Sequence, residues 1–103
     1  MLSVIQVVNK IFNSNSYILF NNNNKSEVIL IDCGDLDDII YMKNKYNTNI
    51  KCVFITHSHY DHIYGLNNLL AIYPNVVIFA SVEGIIGLNN PKKNLSKYFD
   101  SPF

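Results

Sequence analysis

The chain has 103 residues, of which 49% are hydrophobic and 16% charged, and eight basic and eight acidic residues give a formal net charge of zero. This length and composition are typical of one globular domain and exclude overall disorder. The balanced charge provides no global positive field for nucleic acid, and no uncharged apolar stretch approaches the roughly 18 residues that span a bilayer.

We therefore expect neither nucleic acid nor a membrane as a partner. The first residues, Met-Leu-Ser-Val-Ile-Gln, carry no basic segment and no long apolar run, so they do not resemble a secretory signal. Two cysteines, Cys33 and Cys52, are too few for a disulfide framework, and both lie in apolar stretches where a thiol is usually buried. These features predict a cytoplasmic protein.

Three apolar segments rich in β-branched residues open the chain. They cover residues 2–8, 17–20 and 28–31. Asn- and Ser-rich segments at 13–16 and 21–24 separate them and supply residues that favour turns. The pattern predicts an antiparallel meander of three strands.

From Asp35 onwards the pattern changes to helices that alternate with strands. Asp35 is expected to cap a first helix that ends at Asn47 and Asn49. Buried strands are predicted at 52–55 and 76–80, and further helices at 66–73 and 82–88. Alternation of this kind predicts an α/β layer of parallel neighbouring strands, so the fold class is α/β with a meander followed by βαβ units.

All three histidines of the chain lie in one six-residue window. The window contains His57, His59 and His62, with Asp61 among them, and it follows a predicted buried strand and precedes a helix. Loops at the carboxyl ends of buried strands are where α/β sheets place ligands. Chance clustering of surface histidines is the alternative, and it explains neither the strand before the window nor the helix after it.

The spacing within this window suits metal binding. In an extended loop, residues two apart point the same way, so His57 and His59 can bind one ion. Asp61 and His62 follow after the chain has turned and can bind at a neighbouring position. Imidazole and carboxylate ligands in this mixture favour zinc, as one or two ions, with iron and manganese as alternatives.

Two segments resemble a known family. Residues 56–65, Thr-His-Ser-His-Tyr-Asp-His-Ile-Tyr-Gly, resemble the signature of the metallo-β-lactamase superfamily, and residues 30–34, Leu-Ile-Asp-Cys-Gly, resemble its upstream strand that ends in an aspartate. The order of predicted elements is also similar. The resemblance is strongest to the hydroxyacylglutathione hydrolase (glyoxalase II)-like branch, in which a segment similar to 94–96 follows the motif. It implies that residues 1–103 form a partial domain, the N-terminal half of an αββα sandwich.

The resemblance also implies roles for individual residues. It assigns His57 and His59 to a first metal ion and Asp61 and His62 to a second. Asp61 is then the candidate catalytic residue, which orients or deprotonates a bridging water. Asp32 would hydrogen-bond the motif loop and hold its ligands in place, although a plain turn-forming role for Asp32 is an equal alternative.

The chain departs from the family pattern after the motif. The family supplies one further histidine for each metal and a bridging aspartate, whereas this chain has no histidine after His62 and only Glu83 and Asp100 as later carboxylates. A catalytic zinc generally has three protein ligands and one open position, and each site here would have two. Half a sandwich would also leave one sheet face bare. We therefore expect a homo-oligomer or a missing C-terminal half.

Three functions remain open at this point. The first is a metal-dependent hydrolase in which metal-activated water attacks a thioester or similar carbonyl of a small-molecule substrate. The second keeps the chemistry but changes the substrate to a lactone, β-lactam, phosphodiester or persulfide. The third is a non-catalytic remnant of the fold that binds a metal or a partner.

Overall fold

The computed structural model describes residues 2–21, 24–46, 48–90 and 92–94. The elements are the strands β1 (Leu2–Val8), β2 (Asn15–Asn21) and β3 (Asn24–Ile31), helix α1 (Leu36–Lys45), strand β4 (Ile50–Phe54), a 3₁₀ turn (Tyr60–His62), helix α2 (Leu66–Ile72), strand β5 (Val77–Phe79) and helix α3 (Val82–Leu88). Among these residues no helix has the length and apolarity needed to cross a bilayer.

The five strands form one sheet in the order β1-β2-β3-β4-β5. Strands β1, β2 and β3 are antiparallel neighbours, whereas β3, β4 and β5 run parallel. Parallel neighbours need a crossover connection, which α1 provides between β3 and β4 and α2 provides between β4 and β5. The predicted α/β fold, a meander followed by βαβ units, is confirmed.

The core lies between one face of the sheet and the helices. Ile18, Leu30 and Val53 are paired across three neighbouring strands and are fully buried. They belong to one cluster with Ile39 of α1 and Leu69 of α2, so both crossover helices cover this face. Burial of each such side chain contributes about 1.5–3 kcal/mol, which makes this face the main source of stability.

The opposite face of the sheet is apolar and open to solvent. Exposed side chains from four of the five strands occupy it: Val4, Ile29, Phe54, Val77 and Phe79. The rings of Phe54 and Phe79 stack with centroids 4.8 Å apart. A shallow cavity of about 370 Å³ lies on this face. No element among the described residues covers it, in agreement with the expected bare face.

Three predictions about the strands were wrong. Strands β4 and β5 were expected to be buried, but Phe54, Val77 and Phe79 are 43%, 52% and 47% exposed because they lie on the uncovered face of the sheet. A short apolar run has the same sequence pattern whether one face of its sheet or both are covered. Asn15 and Ser16 were expected in a turn, but they begin β2 and pair with β1. Asn21 and Asn24 were also expected in a turn, but they end β2 and begin β3, and residues 22 and 23 between them lie outside the described residues.

The start of α1 differs in detail from the prediction. Asp35 occupies the N-cap position, but its side chain makes no capping hydrogen bond within the helix. Its carboxylate instead accepts a hydrogen bond of 2.6 Å from the backbone N–H of Lys10. The helix ends at Lys45, and Asn47, one of its two expected stop residues, lies outside the described residues.

Candidate metal centre

The histidine window lies at the carboxyl end of β4. Two backbone hydrogen bonds, each of 2.9 Å, fix the point at which the loop leaves the sheet. Ile55 N–H donates to the carbonyl oxygen of Phe79 on β5, and Asp32 N–H, after β3, donates to that of Phe54. The loop then enters the 3₁₀ turn Tyr60–His62. Two parallel neighbours therefore hold the start of the loop, as expected for a ligand site in an α/β sheet.

Asp32 binds this loop through both carboxylate oxygens. Oδ1 accepts a hydrogen bond of 2.8 Å from Thr56 N–H, and Oδ2 accepts one of 2.6 Å from the Thr56 hydroxyl. Oδ2 also lies 2.8 Å from Nδ1 of His62. Asp32 is only 3% exposed and has φ of 59°, a left-handed conformation that Asp tolerates better than most residues. The prediction that Asp32 hydrogen-bonds the motif loop is confirmed.

The hydrogen-bond network assigns the tautomers of two histidines. The single hydroxyl proton of Thr56 is donated to Asp32, so at 3.1 Å from Nδ1 of His57 the hydroxyl can only accept. Nδ1 of His62 likewise donates to the Asp32 carboxylate. Both imidazoles therefore carry their proton on Nδ1 and keep the Nε2 lone pair for a metal ion.

The three imidazoles and Asp61 lie close together. The ring centroid of His57 is 4.1 Å from that of His62 and 5.0 Å from that of His59. Oδ2 of Asp61 is 3.4 Å from Nε2 of His62. Burial, followed by the neighbouring His62 and His59, lowers the pKa of His57 from its usual 6.5, which favours the neutral form that binds metal.

Asp32, His57 and His62 also offer three potential ligand atoms within 4.8 Å of one another. We interpret Asp32 as a support rather than a ligand, because its oxygens already accept from Thr56 and His62. The donor set of imidazole nitrogens and one carboxylate fits zinc or a similar divalent ion. The division of His57, His59, Asp61 and His62 between two ions stays a prediction.

Backbone contacts fix the Asp61–His62 part of the loop. The Ser14 hydroxyl donates to the carbonyl oxygen of Asp61 at 2.6 Å, and Cys33 N–H donates to that of His62 at 2.8 Å. Gly65 N–H donates a hydrogen bond of 3.0 Å to the carbonyl oxygen of Cys33. Cys33 is fully buried, as predicted, and burial with a smaller effect of Asp32 raises the pKa of its thiol to about 12.

A groove of about 210 Å³ borders the other side of the loop. His57 and His59 form one wall, and Glu83 and Lys93 contribute to the remainder. Glu83 lies in the first turn of α3, whose N-cap Ser81 accepts a hydrogen bond from Gly84 N–H. The sequence offered no role for Glu83, and the structure places it beside the histidines.

Helix α3 packs closely on the histidine loop. A Cβ atom added at Gly87 would collide with the side-chain oxygen of Ser58, which lies between His57 and His59. Asn94 is buried and donates to the carbonyl oxygen of Gly87 at 2.9 Å, so it holds the end of this helix. Residues 95 and 96, the rest of the segment noted for its resemblance, lie outside the described residues, as does Asp100.

Sequence reasoning missed the anchor at Ser14. Assigning residues 13–16 to a turn overlooks an alternation of buried and less buried side chains. This alternation continues from Phe20 through Ile18 to Ser16 and Ser14. These four side chains are buried and alternate along β2 and the residue before it. The period of two was therefore a signal that Ser14 and Ser16 point inward.

The mixed sheet, with parallel strands leading into the candidate metal loop, defines an α/β protein with a candidate metal site, and comparison with known sequences names the family. The profile of the Metallo-beta-lactamase superfamily matches residues 10–102. The chain is 37% identical over 73 residues to a hydroxyacylglutathione hydrolase of Buchnera aphidicola subsp. Baizongia pistaciae, covering 71% of this chain and 28% of that protein. It is 36% identical over 72 residues to hydroxyacylglutathione hydrolase 1 of Vibrio vulnificus, covering 70% and 28%. The chain belongs to the metallo-β-lactamase superfamily.

A solved structure shows the same fold. The BLEG-1 B3 metallo-beta-lactamase superposes with a TM-score of 0.83 at 20% sequence identity, over 98% of this chain and 48% of that one. The chain thus corresponds to about half of that structure and matches little more than a quarter of the length of the two curated relatives. The expected half of the αββα sandwich is confirmed as a fold.

Proposed function

We propose that the chain carries the metal-binding part of a metal-dependent hydrolase that acts on a thioester or similar carbonyl. The observation that carries the proposal is a set of hydrogen bonds: Asp32 accepts from Thr56 and His62, and Thr56 accepts from His57. It leaves Nε2 of His57 and His62 available beside the Asp61 carboxylate. The names of the relatives from Buchnera and Vibrio support an acylated glutathione as substrate.

His57, His59, Asp61 and His62 would hold the metal, which we propose to be zinc. A bound ion of this kind lowers the pKa of a water molecule and polarises the substrate carbonyl. Asp61 would orient the attacking water or accept a proton from it. Asp32 fixes the tautomer and direction of the His62 ring, and the single contact with Thr56 sets the tautomer of His57.

We propose that further ligands come from outside these 103 residues. Two protein ligands for each ion are fewer than the three that catalytic zinc usually has. We propose that a second polypeptide segment, from another copy or from a further half of the fold, packs on the apolar face that bears Phe54 and Phe79 and supplies them. The chain alone should then bind zinc weakly and hydrolyse S-lactoylglutathione very slowly.

A titration with Co²⁺, whose d–d absorption reports ligation, tests the metal site. His62→Ala and His59→Ala should weaken the binding, whereas Asn67→Ala, on an exposed position of α2, should leave it unchanged. Equal binding by all variants, or none by the parent chain, would contradict the metal assignment. A chelator-sensitive gain of thioester hydrolysis on adding the remaining half of a relative in trans would support the hydrolase.

A second candidate function is a non-catalytic module that binds a metal or a partner. The apolar sheet face and the two-ligand sites favour it, since both also fit a remnant of the fold. Metal binding without hydrolysis of thioesters, lactones or phosphodiesters, even in the completed assembly, would favour this module. We propose the cytoplasm as the location for either function, because both cysteines are free thiols.

A further inference from the structure

A buried chain of polar side chains connects the hairpin between β1 and β2 with the metal loop. Asn9 follows β1 and Ser14 precedes β2, and Asn9 N–H donates to the carbonyl oxygen of Ser14 at 2.8 Å. Asn9 and Ser16 are fully buried, and Ser14 is 8% exposed. Burying polar side chains of this kind costs free energy unless each one finds a hydrogen-bond partner. The partners of these three residues therefore indicate the role of the network.

The side chain of Asn9 is fully engaged and can be oriented in one way only. Its Oδ1 accepts a hydrogen bond of 2.8 Å from Asp35 N–H, which fixes the oxygen on that side. Its Nδ2 donates to the hydroxyls of Ser14 and Ser16, each at 3.1 Å. There is no space beyond it, since a Cβ atom added at Gly34 would collide with the Asn9 amide.

The orientation of Asn9 sets the direction of the Ser14 hydroxyl. Because this hydroxyl accepts from Asn9, its one proton is free to be donated, and it is donated to the carbonyl oxygen of Asp61 at 2.6 Å. Ser16 accepts from the same amide and from Gly34 N–H at 3.3 Å, and no hydrogen bond among the described residues links it to the metal loop.

We infer that Asn9 and Ser14 are positioning residues of the metal centre. They hold the backbone at Asp61 from one side, while Cys33 N–H holds the next carbonyl, that of His62, from the other. The two contacts together fix the 3₁₀ turn that directs the Asp61 carboxylate and the His62 ring. This inference rests on the proposed function, in which Asp61 and His62 bind metal.

A purely structural role for the network predicts a different result from a positioning role. Both roles predict that loss of a buried hydroxyl lowers the melting temperature. Only the positioning role predicts that metal affinity falls at Ser14 and not at Ser16. Ser16→Ala is therefore a matched control, because Ser16 binds the same Asn9 amide and is at least as buried.

The test is a Co²⁺ titration of the 103-residue chain and its variants, at a temperature where circular dichroism shows each to be folded. Groups that orient metal ligands typically affect affinity by about 10- to 100-fold, and we expect about tenfold for Ser14→Ala because it acts through the backbone. Ser16→Ala should change affinity less than twofold while lowering the melting temperature at least as much. Ser14→Thr, which keeps the hydroxyl, should restore binding.

The possible outcomes distinguish failure of the positioning role from failure of the proposed function on which it rests. If the parent chain binds cobalt and Ser14→Ala binds equally well, or if the Ser14 and Ser16 variants weaken binding alike, the positioning role is wrong and the metal site stands. If the parent chain binds no cobalt, the metal assignment fails and the inference fails with it. If Ser14→Ala does not fold, Ser14→Cys, which keeps the size but donates weakly, is read against the same two expectations.

Discussion

The two parts of the histidine window differ in how firmly this chain holds them. The Asp61 and His62 side chains are about four-fifths buried, and backbone and carboxylate contacts from Asp32, Cys33 and Ser14 fix their turn. His57 and His59 are exposed. Among the described residues, the hydrogen bonds to their rings are limited to the contact between Thr56 and His57.

The difference indicates which of the proposed ligands are preorganised. A side chain already held in its binding geometry loses little entropy when it takes up a ligand, whereas a free side chain must first be ordered. We therefore call Asp61 and His62 the anchored pair, and His57 and His59 the open pair. The open pair borders the groove with Glu83 and Lys93, where an additional segment could order it.

The largest effect should come from the support of the anchored pair. Asp32→Ala removes the acceptor of three hydrogen bonds and leaves the Thr56 and His62 donors unpaired in a partly buried site. We expect a loss of about 3–5 kcal/mol in the free energy of unfolding, measured by urea denaturation. Zinc affinity should fall by about 100-fold.

The exposed Asp37 on α1 provides the control for this change in charge. Asp37→Ala should alter stability by less than about 0.5 kcal/mol and leave zinc affinity unchanged. If Asp32→Ala cost no more than this control, the distinction between the anchored and open pairs would lose its main basis.

Helix α3 should affect the open pair. Gly87→Ala places a methyl group against Ser58, between His57 and His59, and overpacking of this kind costs about 1–3 kcal/mol. Gly84→Ala on the same helix meets its neighbours at 3.2 and 3.4 Å and should be nearly neutral. Thermal unfolding of both variants, with a zinc titration, checks the contrast. Similar melting temperatures for the two variants would show that the histidine loop can move away from the added methyl group on α3.

Removing one ligand from each pair compares the pairs directly. His62→Ala leaves the Asp32 carboxylate without one donor and should cost about 1–2 kcal/mol even without metal. His59→Ala should change stability by less than about 0.5 kcal/mol and reduce only metal binding. Denaturation in the presence of a chelator measures the difference. Equal losses of stability would mean that His59 is held by contacts as firm as those of His62.

The fold was predictable where side-chain period and turn chemistry agree. Helix α3 has the predicted bounds, and the meander and the βαβ units follow from clear changes of period. The exposure of Val77 could not be predicted from its own segment, because burial of a short apolar run depends on whether another layer covers that face of the sheet. The run is apolar in either case, so its sequence does not contain this information.

The site was predictable to the level of its residue types. A dense cluster of histidines is visible in the sequence, and the resemblance pointed to Asp32 as its support. The contacts of Ser14 and Gly87 were not predictable, because each joins segments more than 25 residues apart in the chain. Such contacts depend on the packing of whole elements, whereas local periodicity reports only on one element at a time.

The smallest effect on the free energy of unfolding should come from Cys33 at alkaline pH. The backbone N–H of Cys33 binds the carbonyl oxygen of His62, a member of the anchored pair. The Cys33 thiol has its pKa raised from 9.0 to about 12, chiefly by burial and then by Asp32, so the folded chain keeps a proton that the unfolded chain loses. The folded state is therefore favoured below pH 9, and this contribution is lost as the pH rises from about 9 towards 12. At pH 10 the unfolded thiol is mostly ionised, so the parent chain should have lost about 1 kcal/mol through this group.

Cys33→Ala isolates this contribution from that of Tyr64, whose pKa is also raised by burial and Asp35 and which remains in both proteins. The variant should be less stable than the parent at pH 8, because it removes a buried side chain, but the difference should narrow by about 1 kcal/mol at pH 10. Urea denaturation at the two pH values gives the comparison. A constant difference would show that water reaches the Cys33 thiol in the folded chain, and the backbone beneath His62 would then be less rigid than its contacts indicate.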